Sequence, residues 1–509
     1  MKSTSKHKAF ALTKTRAAPL IAAALMTLIA LFGITACPNN VEGAVTGTAN
    51  GGNTGGLEWH EAPLIEGGAS LILSPDKLTI RVTVTTSDNS PITVEGCDKT
   101  ELTSGTQTEL KAKNTGVVLK GKITKLQVGD RNTSISNKLT ALNVQGLNAL
   151  QNLICYNNQL TELNVQGLNA LHTLDCGNNQ LTELNVQGCT ALQSLDCAYN
   201  QLTALNVQGC TALQTLNCYN NQLTELNVQG LNALQNLSCF SNRLTALNVQ
   251  GLNALKRLYC DNNRLTALNV QGLNALEHLS CGLNKLTALN VQGLNALKRL
   301  ACFSNRLTAL NVQGLNALQY LSCYGNQLTA LNVQGLNALK ELDCSSNQLT
   351  ELDVQGLNAL EDLSCFENKL TELNVQGLNA LKELDCSSNQ LTELDVQGLN
   401  ALQTLGCFGN KLTALNVQGC TALQKLYCNS NQLTADAFTK LFNDLPQRAV
   451  SQDAKCRLYT EYSGVTEGNH KDFTSPGELK TAFDNAKTVK NWRCINGIRT
   501  GTGLRFSSV

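Results

Sequence analysis

The chain has 509 residues and a net charge of +1, and aromatic residues make up only 4% of it. A near-neutral chain has no excess of positive charge, so bulk charge gives no indication of binding to nucleic acid or to an anionic membrane surface, and no nucleic-acid partner is predicted. The length exceeds what one hydrophobic core usually holds, and the composition is more typical of a repeat array than of a compact enzyme.

The first 37 residues read as an export signal that is not part of the fold. A basic start is followed by the apolar run PLIAAALMTLIALFG and then by ITAC, which ends at Cys37. The apolar run is short for a membrane-spanning helix. The stretch resembles the lipobox of bacterial lipoproteins, which implies a signal peptide over residues 1–36 and a diacylglycerol on the Cys37 thiol. Two or more acyl chains would anchor the protein stably. An uncleaved membrane anchor is the alternative.

A tether and a small β cap are predicted next. Residues 37–68 are rich in Gly, Asn and Thr, which indicates a flexible tether. Within residues 69–138, LTIRVTVTT and ITVEG alternate in polarity on either side of SDNSP, which predicts a β-hairpin, and GVVLKGKITKLQV predicts one or two further strands. A cap is needed because the first unit of a repeat array would otherwise expose its apolar face.

Residues 139–432 consist of 14 units of 21 residues, each with two similar halves such as LTELNV and LHTLDC. Both halves place apolar residues at alternate positions, which predicts two short strands and two turns per coil. Leu, Val and Cys should point inward, and stacked coils should form parallel sheets. With strands about 4.8 Å apart, the array should span roughly 65 Å.

Residues 433–509 predict a C-terminal cap with helical and α/β parts. TADAFTKLFNDLP fits a helix with Thr434 as its N-cap and with Phe438, Leu441 and Phe442 on one face. AKCRLYTEY and RCINGI fit strands, with a second helix between them. A disulfide between the two cysteines of these strands would suit an exported cap, although sequence does not fix connectivity.

The repeat LHTLDCGNNQL fits the leucine-rich-repeat pattern L-x-x-L-x-L-x-x-N-x-L, with Cys176 in place of the third Leu. Together with the lipobox, the cap stretch ITVEGCDKTELTSG and the ending LTADAFTKLFNDLP, the nested 21-residue unit resembles the BspA-like leucine-rich surface proteins of oral spirochaetes and Bacteroidetes. The resemblance implies a β-rich leucine-rich-repeat solenoid wound as a right-handed coil. It also implies lipid anchoring to the outer membrane, exposure on the cell surface, and adhesion to host extracellular-matrix or cell-surface proteins or to surface proteins of other bacteria.

One cysteine recurs in every unit at an inward leucine place, beginning with Cys155, Cys176 and Cys197. A zinc site needs four converging ligands and not a line of them. Stacked strands hold neighbouring Cβ atoms at about the strand spacing, whereas a disulfide needs about 3.8 Å. Free cysteine is small, apolar and often buried. We therefore expect an apolar wall without metal or cofactor, with disulfides and a metal ladder as the alternatives.

One asparagine follows three residues after each of these cysteines, beginning with Asn158, Asn179 and Asn200. The side-chain amides are expected to form an internal ladder that satisfies backbone groups where the strand turns. Calcium binding is the functional alternative, but the carboxylates that it needs are missing.

Variation between units is concentrated in a window from four residues before each cysteine to two after it, whereas LNVQGLNAL barely changes, and this window holds all 11 aromatic residues of the array. Residues that flank an inward cysteine in a strand point outward, so the window predicts an exposed binding face. Neutral drift is the alternative. The candidate ligand-binding residues are Tyr156, Tyr219, Phe240, Tyr259, Phe303, Tyr320, Tyr324, Phe366, Phe408, Tyr427, Arg257 and Arg299.

Charge also sorts along the array, with basic residues in units five to eight and acidic residues in units ten to twelve. This pattern would orient a protein partner that has one acidic and one basic end. The alternative is that these are ordinary solvated surface charges with no role in binding. The chain contains no G-x-S-x-G, phosphate-loop or H-E-x-x-H motif, so an enzyme is not predicted. The sequence predicts a binding protein, and the resemblance to the BspA-like proteins implies that it is an adhesin. A glycan-binding module and a spacer without a specific ligand are the alternatives, and no oligomeric state is predicted.

Overall fold

The computed structural model describes residues 57, 59–129, 136–460 and 467–495. The predicted signal peptide, Cys37 and most of the predicted tether lie outside the described residues. The predicted tether nevertheless ends before residue 68. Leu57 forms a β-bridge with Gly116 of the cap, and Asn143 Nδ2 donates to the carbonyl of Ala62 at 3.1 Å. Among the described helices, none is both long and apolar enough to cross a bilayer.

The N-terminal cap consists of two sheets built from seven strands and the first segment of the repeat array. The strands are β1 (Gly68–Leu73), β2 (Thr79–Thr86), β3 (Ile92–Glu95), β4 (Glu101–Leu102), β5 (Gln107–Lys111), β6 (Gly116–Lys120) and β7 (Ile123–Gln127), followed by β8 (Leu139–Asn143) in the first repeat unit. One sheet has the order β4-β3-β6-β1-β8. In the other, β2 pairs antiparallel with both β5 and β7.

The predicted hairpin between β2 and β3 is wrong, because these two strands lie in different sheets. Val82 and Val84 of β2 and Ile92 and Val94 of β3 are all buried in the same apolar core. Alternation of polarity fixes which face of each strand is buried, but it does not say whether the two strands pair or lie in separate layers.

Each repeat unit contributes one strand of three residues to a single parallel sheet, and neighbouring units pair in register. These strands, β9 to β22, are Asn152–Ile154, Thr173–Asp175, Ser194–Asp196, Thr215–Asn217, Asn236–Ser238, Arg257–Tyr259, His278–Ser280, Arg299–Ala301, Tyr320–Ser322, Glu341–Asp343, Asp362–Ser364, Glu383–Asp385, Thr404–Gly406 and Lys425–Tyr427. The central leucine of each strand is buried beside its neighbours, as Leu300 is between Leu279 and Leu321. The predicted solenoid with a parallel sheet is confirmed.

The second strand predicted for every coil is wrong. In the described part of the chain, the LTELNV halves after β8 form no strand ladder and pair only at isolated β-bridges, such as that between Asn164 and Asn185. Side-chain hydrogen bonds replace the ladder: Asn227 Oδ1 accepts from the Gln229 backbone N–H at 3.1 Å, and Gln229 Nε2 donates to the next coil at 3.0 Å. Asparagine side chains often compete with regular pairing in this way. The turn then closes at Gly230, whose φ of 82° favours glycine.

The repeat cysteines form the predicted inward wall. All 14, from Cys155 to Cys428, have 0% exposure, and their thiols are free. Some donate to backbone, as Cys260 Sγ does to the Ser280 carbonyl at 3.5 Å. Burial raises the pKa of the Cys302 thiol to about 12. Outside the period, Cys456 and Cys494 are also free, although their sulfur atoms lie 2.9 Å apart.

This burial predicts that the repeat thiols resist modification in the folded protein. The thiolate is the reactive form, and it is suppressed both by lack of access and by the raised pKa values. After a short maleimide pulse at pH 7, mass spectrometry should find the 14 repeat cysteines unmodified, and all of them labelled after denaturation. Rapid labelling of several repeat cysteines without denaturant would show that these cysteines are not buried in the core.

The predicted asparagine ladder is confirmed and runs beyond the repeats. At Asn284, Oδ1 accepts from the Leu265 N–H at 3.0 Å, while Nδ2 donates to the carbonyls of Cys260 and Cys281, each at 3.1 Å. Asn137 makes equivalent contacts in the N-terminal cap, where its Nδ2 donates to the Val128 carbonyl. Each repeat therefore passes two backbone hydrogen bonds to the preceding coil through one side chain.

The C-terminal cap continues the sheet. Helix α1 (Ala435–Asp444) follows the last repeat and is capped by Thr434, whose side chain accepts from the Ala437 N–H at 3.2 Å, as predicted. A short 3₁₀ turn (Val450–Gln452) leads to β23 (Lys455–Arg457), and helix α2 (Glu478–Thr488) precedes β24 (Arg493–Ile495). β23 pairs parallel with β22, and β24 with β23. Asn469 supplies the last amide of the ladder, donating to the Cys428 carbonyl at 2.9 Å.

Candidate ligand-binding face

One face of the parallel sheet carries the variable residues of the array. In each unit the central leucine of the strand and the following cysteine are buried, so the residues between and beside them point to the opposite side. We call this side the sheet face. It consists of the first and third residues of each repeat strand and the residue after each repeat cysteine. All 12 candidate ligand-binding residues fall at these positions.

Seven of the candidates directly follow a repeat cysteine, and we call them the aromatic row. They are Tyr156, Tyr219, Phe240, Phe303, Tyr324, Phe366 and Phe408. Neighbouring members stack: the ring centroids of Tyr219 and Phe240 lie 4.3 Å apart with planes at 11°, and those of Phe303 and Tyr324 lie 4.9 Å apart at 6°. Such contacts stabilise by about 0.5–1.5 kcal/mol beyond simple burial.

The expectation that these rings project freely is wrong. Every member of the aromatic row is only partly exposed, and the one exposed aromatic of the array is Tyr199, at 49%. The rings lie along the sheet instead of standing away from it. Phe303 illustrates this, because a Cβ added at Gly282 in the preceding coil would meet its ring carbons at 2.6 Å. The row is therefore a ribbed, half-buried apolar strip.

The other five candidates are residues of the strands themselves. Tyr259 and Tyr427 are third residues, and both are partly exposed. Arg257, Arg299 and Tyr320 are first residues of their strands. The Arg299 guanidinium lies 4.0 Å from the centre of the Tyr320 ring, which fixes both side chains in a cation–π contact.

The first residues of seven consecutive strands form what we call the charged row, since six of the seven are ionisable groups of sorted sign. In order they are Arg257, His278, Arg299, Tyr320, Glu341, Asp362 and Glu383. In-register pairing makes each one the neighbour of the next. Burial and the two flanking arginines lower the pKa of His278. The predicted sorting of charge therefore includes one line of side chains on the sheet face.

The carboxyl groups at the acidic end disfavour one another's ionisation. Burial and the adjacent carboxylates of Glu383 and Glu341 raise the pKa of Asp362 to about 6. Burial likewise raises the pKa of Asp385 to about 6, although the N–H of Ser387 donates to its Oδ1 at 3.0 Å. Among the described residues, no group of three or more His, Cys, Asp or Glu side chains is placed to hold a metal ion.

The raised pKa of Asp385 predicts that the free energy of unfolding depends on pH. Its pKa is about 6 in the folded protein against an ordinary 3.8, so folding disfavours the charged form. This penalty is fully present above pH 6 and disappears as the pH falls below 3.8. Asp385→Asn should raise the free energy of unfolding by about 1–3 kcal/mol at pH 8 and by little at pH 3.5. Urea titrations at both pH values measure this.

The control is Asp395→Asn, which removes the same charge from an exposed turn and should change stability by less than about 0.5 kcal/mol at either pH. An equal gain in stability from Asp385→Asn at both pH values would contradict the raised pKa of Asp385.

The sequence did not single out as binding residues His278 and the acidic members of the charged row, which lie on the sheet face, or Tyr199, which lies just beside it. Tyr199 lies one residue further from its cysteine than the aromatic row, with a φ of 55°, and its ring meets Tyr219 edge-on at 5.2 Å. His278 looks like an isolated substitution until the chain is aligned in units of 21, where it falls between two arginines. That alignment by strand position was the available signal.

A sequence profile described as "Leucine Rich repeats (2 copies)" matches residues 190–233. No curated protein sequence matches the chain significantly.

Solved structures of bacterial proteins match more than half of this chain. The functional domain of InlJ from Listeria monocytogenes, described as including a cysteine ladder, is 31% identical over 66% of this chain and 73% of that one, with a TM-score of 0.59. The Leptospira interrogans LRR protein LIC12759 is 33% identical over 54% and 76%, with a TM-score of 0.51. The leucine-rich effector YopM from Yersinia pestis is 27% identical over 61% and 84%, with a TM-score of 0.52.

Proposed function

We propose that this chain, which belongs to the leucine-rich-repeat proteins, binds a protein ligand through its sheet face. One observation carries the proposal: coils that are otherwise near copies differ in the residues on this face. Solenoids of stacked repeats offer extended surfaces that commonly serve binding. Partly exposed aromatic side chains and arginines are the residue types enriched where proteins meet.

The ligand that fits the sequence best is a surface protein of a host or of another bacterium. The resemblance to BspA-like surface proteins supports this adhesive role, and the lipobox at Cys37 supports anchoring at the outer membrane with the array exposed on the cell surface. Similarity to the Listeria and Leptospira leucine-rich-repeat proteins agrees with a bacterial protein of this class. Its activity is binding without catalysis.

The packing of the aromatic row favours a protein over a sugar. A sugar that stacks on an aromatic residue needs an open ring face, whereas Tyr219 and Phe240 cover one another at 4.3 Å, as do Phe303 and Tyr324 at 4.9 Å. The ribbed strip offers ring edges and shallow grooves, which suit the side chains of a protein partner. A spacer without ligand would not require variable residues to gather on one face.

Direct binding assays test the proposal. The purified chain should bind at least one member of a panel of purified host extracellular-matrix, host cell-surface and bacterial surface proteins, measured by biolayer interferometry, and should give no signal on a glycan array. Binding only on the glycan array would favour a glycan-binding module. Absence of binding to both panels would favour the spacer.

Anchoring gives a separate prediction that rests on Cys37. Cys37→Ala removes the thiol that would carry the diacylglycerol, so incorporation of labelled fatty acid should fall to background, and the protein should be released or remain unprocessed. Metabolic labelling followed by membrane fractionation measures both effects. Cys97→Ala, at a buried cap cysteine outside the lipobox, is the control and should keep the label. Persistent lipid labelling of the Cys37 variant would show that the lipid is not attached at Cys37.

A further inference from the structure

The signs of the charged row reverse about its centre. Tyr320 lies in the middle, with Arg299 on one side and Glu341 on the other. Three strands away in either direction stand Arg257 and Glu383. Because all seven strands pair in register, corresponding residues lie at equal distances from Tyr320, at multiples of about 4.8 Å.

The charged row forms no internal ion pairs in the part of the chain that the structure describes. Among the described residues, no ion pair involves Arg257, Arg299, Glu341 or Glu383. The residues immediately before the strands behave differently, since there Lys298 pairs with Glu277 at 2.8 Å, and Lys340 and Lys382 both pair with Glu361. Charges of both signs alternate and cancel at that position, whereas like charges are grouped in the charged row. Grouping gives each half of the row a potential of one sign, which a partner of opposite charge would complement.

We infer that the charged row docks against the same row of a second copy of this chain, related by a two-fold axis that runs along strand β17 through Tyr320. Such an axis reverses the order of the coils while keeping each row opposite itself. It sets Arg299 of one copy opposite Glu341 of the other, Arg257 opposite Glu383, and Tyr320 opposite its own copy. A self-complementary patch is what a two-fold interface requires.

The inner pairs and the neighbouring row agree with this axis. His278 falls opposite Asp362, each the middle residue of its half. Phe240 and Phe408 follow strands that lie four places on either side of β17, so the same axis sets these two rings opposite one another. A rotation about an axis along the coil direction would instead set like charges together, which is unfavourable.

The area predicts a weak pair. Seven strands cover about 29 Å, and the face is about 13 Å wide, which gives roughly 400 Å² per copy. Stable interfaces bury about 800 Å² per partner, so the pairing should be transient and sensitive to salt. A second copy complements both halves of the row at once with the residues already present. The pairing would cover part of the proposed ligand-binding face, but its test uses no ligand.

Cysteine cross-linking captures a weak pair and reports its geometry. Tyr320→Cys places a thiol on the axis, so two copies should form an intermolecular disulfide under mild oxidation at low salt, and 0.5 M salt should suppress it. Thr173→Cys, at the first position of strand β10, is the matched control because the axis keeps it far from its counterpart. The first variant should cross-link at least about tenfold faster, and the wild-type chain gives the background from native thiols.

Charge reversal then tests the pairing itself. In the Tyr320→Cys background, Arg257→Glu with Arg299→Glu should abolish cross-linking, and so should Glu341→Arg with Glu383→Arg. Mixing these two variants, or combining all four changes in one chain, should restore it, because every opposed pair is again of opposite sign. Retained melting temperatures check that the variants fold.

The inference would be overturned if Tyr320→Cys cross-links no faster than Thr173→Cys. It would also be overturned if charge reversal does not change the cross-linking rate of Tyr320→Cys. The Tyr320 comparison needs no charge variant, so it decides the matter even if those variants unfold. No ligand takes part, so a negative result here leaves the ligand proposal to its own assay.

Discussion

Asn284→Ala should lower the free energy of unfolding by about 2–4 kcal/mol, since each lost hydrogen bond contributes about 0.5–1.5 kcal/mol. The side chain has 8% exposure and contacts four backbone groups, the N–H of Leu265 and the carbonyls of Cys260, Cys281 and Gly282. Alanine leaves the buried Leu265 N–H without this acceptor, whereas the Cys260 and Cys281 carbonyls each keep a bond from the asparagine of a neighbouring ladder position. Because the bonds link adjacent coils, the change also weakens coupling along the array. Urea titration followed by circular dichroism measures the loss.

Asn295→Ala is the matched control, eleven positions later in the chain. Asn295 is exposed in a turn, so the same substitution there should cost less than about 0.5 kcal/mol. Equal losses at the two positions would mean that the ladder contributes little to stability.

Leu300→Ala should lower the free energy of unfolding by about 2–5 kcal/mol. Leu300 has 0% exposure and packs in register between Leu279 and Leu321, so truncation removes buried apolar surface and leaves a cavity. The neighbouring leucines repeat along the whole sheet, which limits how far the wall can collapse into the gap. Chemical denaturation monitored by circular dichroism gives the value.

Leu283→Ala makes the same chemical change at a leucine that is 49% exposed, in the turn after the preceding repeat cysteine. Its cost should stay within about 0.5 kcal/mol. If both variants lose the same stability, the central leucines do not form the core described.

The period of the sequence was sufficient to predict the solenoid, the inward cysteines and the asparagine ladder. These features follow from patterns that are visible within one unit. Apolar residues at alternate positions bury one face of a strand, and a buried asparagine side chain needs backbone groups as hydrogen-bond partners. The inward place of Cys302 and the contacts of Asn284 agree with those rules.

Pairing was less predictable than burial. The two halves of each unit have the same apolar pattern, yet only the cysteine half forms a ladder. In the other half, the Asn227 side chain accepts from the Gln229 N–H, and the Gln229 side chain donates to the next coil. Asn137 and Asn469 complete the ladder from within the caps. Asn137 lies 21 residues before Asn158 and so continues the period, whereas Asn469 is out of period and no spacing points to it. The stacking of Tyr219 on Phe240 depends on the spacing between coils, which strand alternation alone does not describe.

The central claim is that the sheet face binds a protein ligand, and one comparison tests it most directly. Phe240, Phe303, Tyr324, Phe366 and Phe408 are replaced together by Ser, and affinity for the ligand found in the protein panel is measured well below the melting temperature. The loss of stacking should lower stability by about 0.5–1.5 kcal/mol for the Phe303–Tyr324 pair. Affinity should fall by at least about 30-fold, since a buried hot-spot residue contributes about 2 kcal/mol or more.

Glu225→Ala, at an exposed position in the other half of a coil, should leave affinity unchanged. Loss of binding in a folded serine variant, with full binding by Glu225→Ala, is the result that we predict. A folded serine variant that binds as tightly as the wild-type chain would contradict the claim.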